Sequence, residues 1–231
     1  MKIMSRRTYM SYGTGKLTCA LLTAGLAWLA VGNYAKACYT GLGLIPTADV
    51  VGESKDSVEV QFNGSFLYGN QCTGILNTEF GLTPRVEVGL DYDFSDSPPT
   101  RAYLNGKYVL ITQDERTPEL SVGICSVADK MISSPYVVAT KDFNLVRGHA
   151  GVMAINGTDR WFVGMDKAIT DKVTLMTDYT DGSENSSSIG VNYQFTNNFA
   201  METAAVFPTQ GGNTFFNIHF VFCGSLNGQG G

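Results

Sequence analysis

The sequence predicts an all-β fold, an antiparallel up-and-down transmembrane β-barrel of about twelve strands, and three observations lead there. Hydrophobicity alternates with a period of two through most of the chain, a secretory leader precedes that region, and the connections are short at one end and long at the other. In GLTPRVEVGLDYDF, Gly81 to Phe94, the residues Val86, Val88, Leu90, Tyr92 and Phe94 share one parity, while Glu87, Gly89, Asp91 and Asp93 share the other. A strand turns alternate side chains to opposite faces, so this stretch has one apolar and one acidic face.

The leader comes first. Lys2, Arg6, Arg7 and Lys16 precede the apolar run Leu17 to Gly32, and Ala35-Lys36-Ala37 offers a small-x-small cleavage site, so residues 1–37 are expected to be a signal peptide. Its removal takes five of the sixteen basic residues and none of the twenty-one acidic ones, leaving eleven against twenty-one, a net charge of −10. That balance argues against nucleic acid as a partner and against a basic membrane-surface binder. Residues 38–56 are expected as an N-terminal periplasmic segment, with the sequence leaving open whether it plugs the lumen or hangs in the periplasm, 57–222 as the barrel and 223–231 as a C-terminal tail.

Twelve alternating segments of about nine to eleven residues follow from residue 57, a length suited to a tilted strand crossing a bilayer. They fall near 57–68, 73–82, 85–94, 101–112, 117–126, 134–142, 145–155, 160–168, 171–180, 187–195, 198–207 and 214–222. No segment has the spacing of a long amphipathic helix. Leu82-Thr83-Pro84-Arg85, Ile169-Thr170-Asp171-Lys172 and Phe195-Thr196-Asn197-Asn198 are tight turns at one end. SDSPPT, NGTD, DGSENSS and PTQGGN, at the other end, are mostly longer and richer in Gly, Pro, Ser and Asn. Tyr68, Tyr92, Phe94, Trp161, Tyr179 and Phe207 mark the loop ends, and Phe80, Phe195, Phe199 and Phe222 the turn ends, as expected of aromatic belts at the limits of a hydrocarbon layer. The last strand alternates through Phe216, Ile218, Phe220 and Phe222, similar to the closing signal read by the barrel-assembly machinery, though nine residues follow it.

Val88, Leu104, Val122, Val163, Leu175, Val191 and Ile218 share the parity expected to face lipid. The opposite parity supplies the candidate lumen residues Glu79, Glu87, Asp91, Lys107, Glu119, Arg147, His149, Asp166, Asp178, Glu202 and His219, with Gln61 and Asn63 among their polar neighbours. A soluble sandwich or ligand-binding barrel would need the reverse orientation, with the apolar parity packed inside. The carboxylates could form a cation-preferring constriction, or Arg101, Lys107, Arg147 and Arg160 could pair with them in a closed scaffold. His149 and His219, the only histidines, read as members of a polar network rather than as acid-base catalysts, and no G-x-S-x-G elbow is present. No catalytic residues are therefore assigned, and the enzyme reading, a lipid- or lipopolysaccharide-modifying barrel, stands as an alternative to a channel or structural envelope component.

Cys38, Cys72, Cys125 and Cys223 survive cleavage without C-x-x-C spacing or neighbouring histidine, so no metal site and no cofactor is expected. Cys38 and Cys223 flank the barrel and could form a disulfide in an oxidising compartment, while Cys72 and Cys125 both fall toward the loop end. Expected partners are outer-membrane lipid, the barrel-assembly machinery and a small solute or polysaccharide, with the protein in a bacterial outer membrane.

Thr40 to Val51, TGLGLIPTADVV, contains GLGLIPTA at Gly41 to Ala48, and a strand and GLTPRVEVGLDYD follow it. This arrangement resembles the opening of YjbH-like outer-membrane barrels, over about the first quarter of the mature chain. The resemblance implies an outer-membrane barrel and a link to exopolysaccharide.

Overall fold

The computed structural model describes residues 41–42, 45–50, 52, 55–64, 72–94, 101–128, 132–183 and 185–225, without the side chains of 41–42, 58–64, 72–73 and 225. The chain divides into two compact units, Met1–Val31 and Gly32–Gly231, and every described residue belongs to the second. The expected signal peptide and the tail beyond Ser225 lie outside the described residues.

Two short strands, β1 (Gly41–Leu42) and β2 (Ile45–Pro46), pair with each other. They precede β3 (Lys55–Gly64), β4 (Cys72–Thr83), β5 (Val86–Asp93), β6 (Ala102–Ile111), β7 (Glu119–Val127) and β8 (Ser134–Asp142). The chain continues through β9 (Arg147–Ile155), β10 (Thr158–Ala168), β11 (Val173–Thr180), β12 (Ser186–Thr196), β13 (Phe199–Pro208) and β14 (Phe215–Ser225). Strands β3 to β14 form one closed antiparallel barrel of twelve, each paired with its sequence neighbours and β14 closing on β3 through pairs such as Cys223↔Ser57. Closure leaves no unpaired strand edge, the condition a sheet must meet to sit in a medium without water. No helix occurs among the described residues.

Side-chain direction follows the parity of the sequence. Val88, Leu90, Leu104, Val152, Val163, Leu175 and Ile189 are exposed on the outer surface. Glu87, Lys107, His149, Asp178, Glu202 and His219 are buried on the inner one. An exposed apolar band around a polar interior inverts a water-soluble protein and matches a barrel that meets lipid. At the turn end Phe199 stacks on Phe195 and Phe222 with ring centroids 5.2 and 4.7 Å apart, and near the loop end Trp161 lies 5.1 Å from Tyr179.

The connections keep the expected asymmetry with two exceptions, one of them the two-residue turn Asn156-Gly157 that joins β9 to β10 at the loop end. Residues 112–118, at the turn end, form a longer loop in which Asp114 accepts hydrogen bonds from the Arg116 and Thr117 amides, and these hold its carboxyl below the ordinary range. Lys141 donates to the carbonyls of Glu115 and Thr117 and fastens this loop to β8.

Candidate functional site

The barrel interior has two unlike walls, and the first is built around the chain's own N-terminal segment. Residues 45–50, which the sequence assigned to a segment on the periplasmic side, enter the barrel: Ile45, Thr47 and Ala48 are at most 3 % exposed. Ile45 and Ala48 form an apolar cluster with Tyr136, Val138, Phe162 and Met176, flanked by Cys125 and Met153. The inward parity of β8, β10 and β11 is therefore partly apolar, against the expectation of a polar lining throughout. Two glycines make this possible. A Cβ on Gly123 would lie 2.2 Å from the Tyr136 ring, and one on Gly151 would lie 2.4 Å from the Phe162 ring. Each glycine is the register partner of its aromatic, so the ring folds flat over the neighbouring strand.

Backbone groups of the inserted segment find side-chain partners on the wall. The Ala48 amide donates to Thr140 Oγ1 at 2.9 Å, and the Ala48 carbonyl accepts from Ser121 Oγ at 2.5 Å. Lys107 Nζ donates to the Asp49 carbonyl at 2.7 Å and lies 3.2 Å from Glu87 Oε1. The Arg147 guanidinium bridges two carboxylates, with Nη1 3.0 Å from Asp49 Oδ2 and Nε 2.9 Å from Asp166 Oδ2. A rigid guanidinium fork suits this two-sided pairing better than an ammonium would. His149 completes the network: its Nε2 is 2.9 Å from Asp166 Oδ2 and its Nδ1 is 2.9 Å from Thr140 Oγ1.

Thr140, His149 and Asp166 thus line up as hydroxyl, imidazole and carboxylate. The order resembles a nucleophilic triad, yet the Thr140 oxygen accepts the Ala48 amide hydrogen and is 4 % exposed. The arrangement works as a clamp on the segment, with His149 in the polar network its sequence position suggested.

Around the clamp, Glu119 is half-buried on the inner face of β7, paired in register with Thr140. Glu79, also half-buried, is paired with Ser57. Toward the loop end Asp91 accepts from Asn105 Nδ2 at 2.7 Å and Asp93 from the Tyr103 hydroxyl at 3.0 Å. Asn105 Oδ1 in turn receives the amide of Ser126, a residue held at φ 59° in a bulge of β7. Of the cations expected to pair inside, Lys107 and Arg147 do so, and Arg160 is half-buried on the same face of β10 as Phe162. Arg101 is exposed and donates to the Asp93 carbonyl at 3.4 Å. Gln61 and Asn63 lie outside the described side chains.

The second wall, β11 to β14, has a different composition. Its inner face carries Asp178, Ser188, Asn192, Glu202, Asn217 and His219, with the small residues Gly190 and Ala204 between them. His219 Nδ1 stands 3.9 Å from Glu202 Oε1. Neither Lys nor Arg occupies an inward position of these four strands among the described residues.

Of the expected Cys38–Cys223 disulfide, only Cys223 lies within the described residues. Cys223 carries a thiol, buried on the inner face, whose Sγ donates to Ser57 Oγ at 3.6 Å, and Cys38 lies outside the described residues. Cys125 is likewise a thiol, and it sits on β7, three strands away from the β4 that carries Cys72. No cluster of three or more His, Cys, Asp or Glu able to hold a metal occurs among the described residues.

No protein-family model and no curated protein matches the sequence, so the likeness to YjbH-like barrels rests on its motifs alone. Solved structures do match the fold. A KdgM porin superposes with a TM-score of 0.57 at 8 % identity, covering 72 % of this chain and 98 % of that one. A KdgM porin in complex with disordered oligogalacturonate gives 0.55 at 9 %, with the same coverage. A NanC porin gives 0.52 at 9 %, covering 74 % of this chain and 98 % of its own. At these identities the likeness is one of architecture, and by that architecture the chain has the fold of a small porin.

Proposed function

We propose that this protein is a small outer-membrane channel, delivered through a cleaved signal peptide and inserted by the barrel-assembly machinery, whose lumen is narrowed by its own N-terminal segment and favours cations. The observation that carries the reading is the pairing of Asp49 with Arg147 and of Lys107 with the Asp49 carbonyl and Glu87. The inserted segment engages Lys107 and Arg147 on one wall, and Asp178 and Glu202 add carboxylates on the other, whose four strands carry no Lys or Arg among the described residues. Carboxylates lining a narrow polar passage raise the local cation concentration. The porin fold of the KdgM and NanC structures supports a transport role over a purely structural one. Export of polysaccharide, suggested by the YjbH-like motif, would need a wider path than a twelve-stranded barrel carrying an internal segment offers.

Planar-bilayer recording tests the proposal. Mature protein should give small, steady conductance with a reversal potential of cation-preferring sign in a salt gradient, and deletion of residues 41–52 should raise the conductance severalfold. Silence in both forms, with folded barrels confirmed by heat-dependent gel mobility, would favour a closed scaffold.

A further inference from the structure

We propose that the outer surface of β10 to β14 holds one anionic phospholipid of the leaflet at the turn end, with an acyl chain in an apolar groove and the phosphate on Lys167. The site belongs to the lipid face of the barrel and stands whether or not the lumen conducts.

Register sets the outward side chains of these strands in rows. One row alternates large and small through Met165, Thr177, Ile189, Ala205 and Phe216. The next, two residues nearer the turn end, carries Lys167, Leu175 and Thr203. Met165, Leu175 and Ile189 stand out from the sheet, 49 %, 45 % and 60 % exposed, whereas Thr177, Thr203 and Ala205 lie half-buried between larger neighbours. The result is a groove of about 550 Å³ whose lining reaches from Lys167 across to Phe216. Inside it the Thr177 hydroxyl donates to the Ser188 carbonyl at 2.7 Å, so its hydrogen asks nothing of an occupant.

The occupant follows from the groove's direction and from one charge. The four strand-to-strand steps from β10 to β14 span roughly 19 Å. Because strands tilt in a barrel, such a row slants across the membrane instead of lying parallel to it. Its low end is Lys167, the last residue but one of β10 and so at the turn end, and its high end is Phe216, the second residue of β14 and so at the loop end. A chain entering from the turn-side leaflet meets the cation first and hydrocarbon afterwards, the order of a phospholipid from headgroup to tail. The Lys167 ammonium is exposed and makes no hydrogen bond or ion pair with the described residues, while Asp171 and Lys172 in the following turn offset each other. A lysine on a lipid face extends its stem along apolar surface and delivers its charge to the interface, where an anionic headgroup supplies the counter-charge.

Native mass spectrometry of the mature barrel in detergent, incubated with phosphatidylglycerol or with phosphatidylcholine of the same acyl chains, tests the site. The unsubstituted protein should retain one phosphatidylglycerol about fivefold more strongly than phosphatidylcholine, the scale of one lysine beside an anionic headgroup. Lys167→Gln should abolish that preference. Ala205→Trp, which fills the groove, should weaken retention of both lipids about tenfold. Val152→Trp, on the outer face of β9 beyond the groove, should change neither. Heat-dependent gel mobility verifies that each variant folds, and Thr203→Phe replaces Ala205→Trp if the latter does not. Equal retention of the two lipids, a preference that survives Lys167→Gln, or the same loss from Val152→Trp as from Ala205→Trp would overturn the site. A dimer mass that disappears when the groove is filled would overturn it too, by giving the groove to a second copy of the chain.

Discussion

The wall that holds the inserted segment and the wall that faces it differ in how particular buried side chains are hydrogen-bonded. On the first, Ser121, Thr140, Lys107, Arg147 and His149 all have partners, several of them in residues 45–50. On the second, Asn217 and Ser188 are buried without partners. Satisfied polar networks fix a single arrangement, whereas unpaired buried groups sacrifice stability and are kept where something else makes use of them. The contrast places the most fully satisfied polar contacts where residues 45–50 meet the wall.

Substitution separates the two walls, and the largest effect is expected at Lys107. Its Nζ lies 3.2 Å from Glu87 Oε1 with the two side chains 3 % and 6 % exposed. Lys107→Met should lower the unfolding free energy in lipid by about 3–5 kcal/mol, because Glu87 is left buried without its cation. Urea titration of the barrel in vesicles would measure it, and a change below 1 kcal/mol would refute the buried pair.

Next comes the outer face. Leu175, exposed in the middle of β11, should not tolerate a charge: Leu175→Arg is expected to cost about 2–4 kcal/mol if the position meets the bilayer midplane. A neutral result in vesicles would mean that the apolar band does not meet hydrocarbon.

The third test sets the walls against each other directly. Thr140→Val removes the acceptor of the Ala48 amide and should cost about 1–3 kcal/mol, whereas Ser188→Ala removes an unpaired hydroxyl and should be neutral or stabilising. Equal losses at the two positions would erase the distinction drawn here.

The smallest effect belongs to the 112–118 loop. The amides of Arg116 and Thr117 depress the Asp114 carboxyl, so its contribution is present above the ordinary carboxylate range and is lost as pH falls through the depressed value. Hydrogen exchange at those two amides should quicken only at acid pH in the native protein and at neutral pH in Asp114→Ala, with barrel strands unaffected.

The strands could be read from the chain because burial imposes a period of two and turn residues mark where it stops. Segments expected at 134–142 and 101–112 became Ser134–Asp142 and Ala102–Ile111. The inserted segment could not be read in the same way. Ile45 to Asp49 is too short for a period, and its contacts join residues 92 apart for Ala48 and Thr140, and 98 apart for Asp49 and Arg147. The apolar patch inside was equally hidden, since Tyr136 and Phe162 share their parity with polar residues. Their one visible signal was a glycine at the register-paired position of the neighbouring strand, and recognising it requires the pairing to be known beforehand.

By itself, then, the sequence determined the strand count, the direction each side chain takes and the sign of the interior charge, because alternation along a pleated chain is a local property. Tertiary structure decided which carboxylate meets which cation, that residues 45–50 lie inside, and that Cys223 points at Ser57. Those outcomes depend on how far each strand is staggered when the sheet closes, and stagger is set by the whole ring of twelve strands together.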